Sequence, residues 1–569
     1  MPNVKDTPVS RVVAPAISGY TLVFLTNVLE NVPFVTNKIA ADGGLHNFRK
    51  RNDLSDVITT VPVPVQYNFF QQDIDHQENK ITSLESESSR TPFLSYHDYI
   101  KAYKDGKVTP SEMAERVLKA LEDSKSMNFM RSFHEDSIRE QAAASTERYK
   151  TGATLSDLDG IFIPIKEESD IKGYESRAGT VGINVGIFSD EDSAIVQRLR
   201  DAGAIIVGHT VMNEIGWDTF TVNPNTGTPK NAYKLNCSCG GSSGGSGGAV
   251  ATGIFPIAVG ADGGGSIRIP ASFCGLYGIK ATHARISGFG AQPLAPTVGI
   301  SGPIAATADD MALAYAIVAG KDSRDQATLM QPPVSLANYS NSKSLEGIKI
   351  GIFPEWNNMV MDPIINDRIE VFKKYFSSLG ATFENIEIPE LEEARNAHAI
   401  TISTEISNYV KKHGSSARQK LLYSNRILAA VADTLEPVDY VRAQQIRTRS
   451  MQHVMDLFKP KVGKGIDLIL TPTTAITSPE LSPSLLTYGM SNNPMTSDAM
   501  RYAFLANFIG IPAVQVPAGF DARGLPVGMQ LMAEWWNEEL LLRMAKVCEE
   551  TPGVERKRPT EGWYGDMLN

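Results

Sequence analysis

Residues 239–285 read CGGSSGGSGGAVATGIFPIAVGADGGGSIRIPASFCGLYGIKATHAR, and the rest of the 569-residue chain is organised around them. Two serines stand among glycines: Ser242 in Gly240-Gly241-Ser242-Ser243-Gly244-Gly245, and Ser266 in Asp262-Gly263-Gly264-Gly265-Ser266-Ile267-Arg268. Between them, Ala249 to Ala261 is apolar enough to cross a core. Glycine lets the backbone bend sharply and approach a ligand closely, because no Cβ obstructs it. A serine so placed can be a nucleophile beside a row of free backbone N–H groups. Four other readings compete. A flexible Gly/Ser linker would not run straight into Phe255-Pro256-Ile257-Ala258-Val259. A P-loop needs Gly-Lys-Ser/Thr after its spaced glycines, and no lysine lies between Lys234 and Lys280. A G-x-G-x-x-G fingerprint can be picked out of almost any glycine-rich run. Gly240 to Gly244 matches the G-x-S-x-G nucleophile elbow, which must follow a strand and open a helix; the preceding Asn231 to Asn236 is polar and reads as a loop.

Outward from this stretch, helices and short apolar strands alternate. Thr109-Pro110-Ser111-Glu112 is a capping box with proline at the first helical position. Asp136 to Tyr149 reads as a second helix, and Ile161 to Ile165 as a strand ending at Lys166. Ser193 to Arg200 reads as a helix and Ala204 to Val207 as a buried strand. After an irregular excursion over Lys321 to Ser344, strands are expected at 348–353, 466–470, 513–516 and 528–532. Helices are expected at 363–379, 392–412, 437–458, 497–509 and 538–548. This alternation predicts an α/β fold, a large mixed central sheet covered on both faces by helices.

The chain is expected to divide into an N-terminal arm, 1–90, and a large domain, 91–569, whose core is 150–320. In the arm, Leu22, Leu25, Val28 and Leu29 fall at helical spacing within Ile17 to Val35. Asn27, Glu30 and Asn31 interrupt the run, which falls short of the roughly 18 apolar residues of a membrane span. A helix packed on the core or on a partner subunit is one expectation, an interfacial helix touching membrane another. Gln66 to Arg90 is polar and acidic and reads as a linker. The net charge of −10 and the lack of a dense Lys/Arg cluster argue against nucleic acid as a partner. Four cysteines are too few for a disulfide framework in a chain this long. No signal peptide pattern is present, and a cytoplasmic location, peripheral on an internal membrane if the arm touches lipid, is expected.

Several motifs in order resemble the amidase signature family: GGSSGGSGG, then DGGGSIRIPAS, then CGLYGIKAT, with Gly160-Ile161-Phe162-Ile163-Pro164-Ile165-Lys166 upstream. The likeness continues through Asp467-Leu468-Ile469-Leu470-Thr471-Pro472-Thr473 and Gly524-Leu525-Pro526-Val527-Gly528-Met529-Gln530. The resemblance implies a Lys166–Ser242–Ser266 relay, with Ser242 following a cis non-proline bond from Gly241 and Ser243 supporting the lysine. Beside Glu167 and Glu168, a lone Lys166 reads as an exposed lysine, and only the resemblance reverses that. The relay needs Lys166 neutral, and burial can lower a lysine by up to about 3–5 pKa units. Ser266 is the implied nucleophile of an amide hydrolase, with the N–H groups of Gly263, Gly264, Gly265 and Ser266 as the oxyanion hole. Asp262 and Arg268 read as a structural ion pair holding that loop. Met212 and Trp217 match a pocket-lining loop of the family. No metal, nucleotide or flavin cofactor is required. The arm and Leu158-Asp159-Gly160-Ile161-Phe162 look most like the plant-type fatty acid amide hydrolases, which implies long-chain acyl amides. Alternatives are a small-amide or carbamate hydrolase (urethanase), and an amidotransferase A subunit supplying ammonia in a complex. The expected partners are a small amide, ester or carbamate and a second copy of the chain in a homodimer.

Overall fold

The apolar runs form strands whose alternate residues enter two different cores. Leu468 and Leu470 join a cluster with helices Ala308–Val318, Ile364–Ser378 and Glu538–Glu549. Ile469 between them joins a cluster with helices Leu391–Lys412 and Pro437–Phe458. Met532 and its neighbours Leu531 and Ala533 divide in the same way. Successive strand side chains point to opposite faces, so this division puts helices on both sides of one sheet. The computed structural model describes residues 12, 14–54, 57–59, 81–84 and 91–569. The expected linker over Gln66 to Arg90 lies outside the described residues, apart from 81–84.

The strands are β1 (Met130–Phe133), β2 (Phe162–Lys166), β3 (Ile205–Thr210), β4 (Lys230–Asn231), β5 (Lys234–Ser238), β6 (Ile257–Asp262) and β7 (Tyr277–Lys280). There follow β8 (Ile300–Ala305), β9 (Lys349–Ile352), β10 (Thr382–Asn385), β11 (Leu468–Pro472), β12 (Ala513–Phe520) and β13 (Pro526–Ala533). Eleven of them make one mixed sheet in the order β1-β3-β2-β6-β8-β7-β12-β13-β11-β9-β10. β2 runs parallel to β3 and to β6, with Ile165 opposite Val259. The carboxyl ends of β2 and β6 therefore emerge together. Lys166 closes the first and Asp262 the second, and in sheets of this kind ligands bind off the carboxyl ends of parallel strands.

Three expectations change, and one helix is present that the sequence reading does not include. Asn231 to Asn236 is not a plain loop: β4 and β5 pair as a small separate hairpin. The glycine run after Ser243 is a buried helix, Gly244–Ala251. Glycine is a poor helix former, but a Cβ on Gly245 would stand 2.3 Å from Val211 O and one on Gly244 2.5 Å from Thr221 Oγ1. Close packing against those neighbours demands the missing side chains. The expected helix over 497–509 is broken into Asn493–Met500 and Phe504–Phe508. At the break the carbonyls of Tyr502 and Ala503 accept from Gln530 Nε2 at 2.8 Å and Arg268 Nη1 at 3.0 Å. Finally, the apolar arm segment is two helices, Gly19–Asn31 and Pro33–Asp42, because Pro33 opens a new first turn.

The arm packs back on the catalytic domain. Leu22 and Leu29 bury against Ile427 of the helix Tyr423–Ala432. Thr26 Oγ1 donates to Tyr423 O at 3.3 Å, and Arg426 Nε donates to Glu30 Oε1 at 2.9 Å. Tyr20, Phe24 and Phe34 on the same two helices stay exposed. No helix among the described residues is long and apolar enough to cross a membrane.

Candidate active site

Where β2 and β6 end, the chain places Lys166, Ser242 and Ser266 on the wall of one cavity of about 730 Å³. All three residues are buried. Lys166 Nζ donates to Ser242 Oγ at 2.8 Å and to Ala261 O at 3.2 Å, and stands 3.0 Å from Glu168 Oε2. Lys166, Glu167 and Glu168 are thus an interior cluster, not the exposed run their charges suggest. The Gly241–Ser242 peptide is cis. A Cβ at Gly241 would lie 2.8 Å from Phe220 N and Thr221 N, so glycine alone permits this backbone to pass. Asn213 N donates to Ser242 O at 3.0 Å and fixes the far side of the turn. Ser243 does not touch Lys166. Its Oγ donates to Ala261 O at 3.2 Å, the same carbonyl that receives the lysine, so its support passes through Ala261.

Ser266 sits in a loop tied down by Asp262. Asp262 Oδ1 accepts from Gly265 N at 2.6 Å, and Oδ2 from Ile267 N at 3.1 Å and Arg268 Nε at 2.9 Å. Arg268 Nη2 completes the fork at 3.0 Å to Oδ1, and both residues are fully buried. Burial would push the Asp262 carboxyl up, but the Arg268 guanidinium outweighs it and holds the group well below the usual carboxylate range. The ion pair expected from the sequence is therefore present. One of the expected oxyanion donors is engaged elsewhere, because the Gly265 N–H is spent on Asp262. The N–H groups of Gly263, Gly264 and Ser266 make no hydrogen bond among the described residues. Three donors of the four thus stay open beside the Ser266 hydroxyl.

The cavity takes in Trp217 but not Met212. Met212 is buried against Ala178, Ile183 and Ile215, and of these four only Ile215 lines the cavity. The turn Glu214–Gly216 brings bare backbone to the relay: a Cβ on Gly216 would be 3.5 Å from Ser242 Oγ. Glu167 steadies the neighbouring loop by accepting from Gly179 N at 3.1 Å, opposite Arg131 at 3.3 Å. Burial pushes the Glu167 carboxyl up to about 7 in spite of Arg131. Away from the relay the lining is largely apolar, with Ile402, Ile406, Leu428, Val431, Met490 and Phe504. Ile39 and Leu45 of the arm also line the cavity. His398 and Glu168 also face the cavity. Neither belongs to a glycine-rich motif, so local sequence carried no signal for them. His283, the histidine next to the quoted stretch, lines the cavity too, and burial lowers it to about 3.

The Amidase family model matches residues 112–542. The chain belongs to the amidase family. It is 37% identical over 491 residues to the fatty acid amide hydrolase of Oryza sativa subsp. indica, covering 84% of this chain and 80% of that protein. With the fatty acid amide hydrolase of Arabidopsis thaliana it shares 32% over 593 residues, or 98% of this chain and 95% of that one. A solved chain from work on "the evolutionary origins of an s-triazine catabolic enzyme" superposes with a TM-score of 0.74 at 27% identity, covering 81% of this chain and 99% of that chain. This amidase is an amide-hydrolysing enzyme with the α/β fold of its family.

Proposed function

We propose that this amidase hydrolyses long-chain acyl amides through an acyl-enzyme on Ser266. Ser242 removes the Ser266 proton as Ser266 Oγ attacks the amide carbon, and passes a proton to Lys166, which lies 2.8 Å from Ser242 Oγ. The carbonyl oxygen of the tetrahedral adduct takes its charge to the open N–H groups of Gly263, Gly264 and Ser266; such preorganised donors are often the largest catalytic term. The proton then returns through Ser242 to the leaving nitrogen, the C–N bond breaks, and ammonia or an amine departs. Water repeats the sequence on the ester and releases the acid.

The observation that carries the substrate class is the cavity: about 730 Å³, largely apolar, lined by Ser266 and by Ile39 and Leu45 of the arm. Its size lies within the roughly 300–1,000 Å³ of small-molecule sites. The fatty acid amide hydrolases among the relatives support the same class. The test is kcat/KM over primary amides with acyl chains from two to eighteen carbons, with Ser266→Ala as the blank. Each methylene buried in the cavity contributes about 0.8 kcal/mol, close to fourfold per carbon. A steep rise with chain length is expected. A flat or falling profile transfers the assignment to a small-amide or carbamate hydrolase. The exposed Tyr20, Phe24 and Phe34 further support contact of the arm with a lipid surface that delivers the acyl chain, which co-sedimentation with phospholipid vesicles reports.

A further inference from the structure

Three successive glycines cannot orient their own peptide groups, because glycine backbone moves freely between wells. In this loop the orientation is imposed from outside. Asn507 Nδ2 donates to the carbonyl of Asp262 at 2.8 Å, and Ile269 N to that of Gly265 at 2.7 Å. The carbonyl of Gly263 is held by a residue distant in sequence: His398 Nε2 lies 2.8 Å from it. A carbonyl oxygen only accepts, so Nε2 carries the proton. Burial, with Arg447 nearby, outweighs the Gly263 carbonyl and lowers His398 to about 4, which leaves the ring neutral with one N–H near neutral pH. The ring is fixed in turn by Phe504 and Phe508, at centroid distances of 6.1 and 6.2 Å. A Cβ on Gly264 would meet His398 Cε1 at 3.2 Å and Met500 Cε at 2.6 Å, so the loop lies flat against this wall.

The C=O of Gly263 and the N–H of Gly264 belong to one planar trans peptide and point in opposite directions. Holding the carbonyl on His398 therefore aims the Gly264 N–H away from that wall. We propose that His398 is a positioning residue for catalysis, which orients the Gly264 N–H toward the developing oxyanion by anchoring the Gly263 carbonyl. The proposal rests on the reading of Gly263, Gly264 and Ser266 as the oxyanion donors. It assigns a role in the reaction to the helix Leu391–Lys412, far in sequence from the catalytic motifs.

The test compares His398→Leu and His398→Phe, which remove the donor, with His398→Gln, whose amide restores one at similar reach. Each folded variant is assayed on a long-chain acyl p-nitroanilide, and with an acyl trifluoromethyl ketone whose adduct on Ser266 places an oxyanion on the same donors. Misorienting one donor is expected to lower kcat by up to about 100-fold, the lower end of the roughly 100–1,000-fold cost of deleting a donor, with KM little changed, and to weaken the ketone by a similar factor. His398→Gln is expected to recover most of both. Two donor-free variants guard against misfolding of one. A rise in KM alone makes His398 a wall of the cavity and overturns the proposal, as does a His398→Gln variant no better than His398→Leu. Failure of the underlying reading looks different: Ser266→Ala would keep its activity, and mass spectrometry would find no ketone adduct on the wild type, whatever His398 does.

Discussion

Asp262 does more at the site than its place in the motif announces. One carboxylate receives Gly265 N, Ile267 N and two nitrogens of Arg268, so it sets the curvature of the loop and neutralises a buried guanidinium at once. Removing one partner of such a pair leaves the other buried and uncompensated, which costs about 3–5 kcal/mol. Asp262→Asn is therefore expected to lower the unfolding free energy by an amount of that order, seen as a lower urea midpoint, and to reduce kcat more than KM because the loop loses its shape. An unchanged midpoint would show that Gln530 and Asn507, which also receive or approach Arg268, suffice to hold it. At this scale Ser242 and Ser266 were legible as candidates, since their glycines mark close backbone approach, whereas Lys166 reads as an exposed lysine without the family resemblance. Two further features were not legible. Gly265 reads like its neighbours, and only the hydrogen bond to Asp262 removes it from the donor set. Met212 and Trp217 share one buried cluster, yet only Trp217 also lines the cavity.

Among the elements, the turn Glu214–Gly216 and the helix Tyr423–Ala432 are tied by a buried carboxylate. Glu214 Oε2 accepts from Leu422 N at 2.7 Å and Asn425 Nδ2 at 2.9 Å, at the start of that helix. Burial raises Glu214 from its ordinary 4.5 to about 7, the hydrogen bonds from Asn425 and Leu422 offsetting it only in part. Between those two values the folded protein holds a proton that the unfolded chain has released. Stability contributed by this group is thus full below about pH 4.5, falls as pH rises toward 7, and is level above it. Glu214→Gln removes the titration, so its thermal midpoint is expected to fall less than that of the wild type between about pH 5 and 7. Equal slopes for the two proteins would place the buried charge elsewhere, with Glu167 the next candidate. Regular periodicity made most elements readable, the helices Ile364–Ser378, Leu391–Lys412 and Pro437–Phe458 among them. Two exceptions share one cause. The Gly244–Ala251 helix and the break between Met500 and Phe504 are decided by tertiary partners, Val211 and Thr221 in the first case and Gln530 and Arg268 in the second. Local propensity is overridden wherever a distant group occupies the backbone's space or its carbonyls.

For the whole molecule, the arm both lines the cavity and leaves apolar side chains bare. Its inner side is anchored by Leu22 and Leu29 on Ile427, its second helix offers Ile39 to the cavity, and its outer side leaves Phe24 and Phe34 bare. Three roles are open to such an element: cavity wall, lipid contact, and the homodimer interface that the sequence leads one to expect. They separate under one deletion, of residues 1–60. If the arm is wall, the deletion removes the apolar surface that Ile39 and Leu45 give the cavity. The gain in kcat/KM per methylene, about fourfold while carbons are buried, should then stop several carbons earlier than in the full chain, with short amides unaffected. If the arm is lipid contact alone, monomeric substrates of every length should be turned over as before, and only activity on vesicle-borne substrate and vesicle binding should fall. If it is interface, light scattering should report a change from two chains to one. Ile39 and Leu45 line the cavity, so the first outcome is the one expected. Phe24→Ser with Phe34→Ser then isolates the second role, because neither side chain lines the cavity and the acyl-length profile should survive their loss.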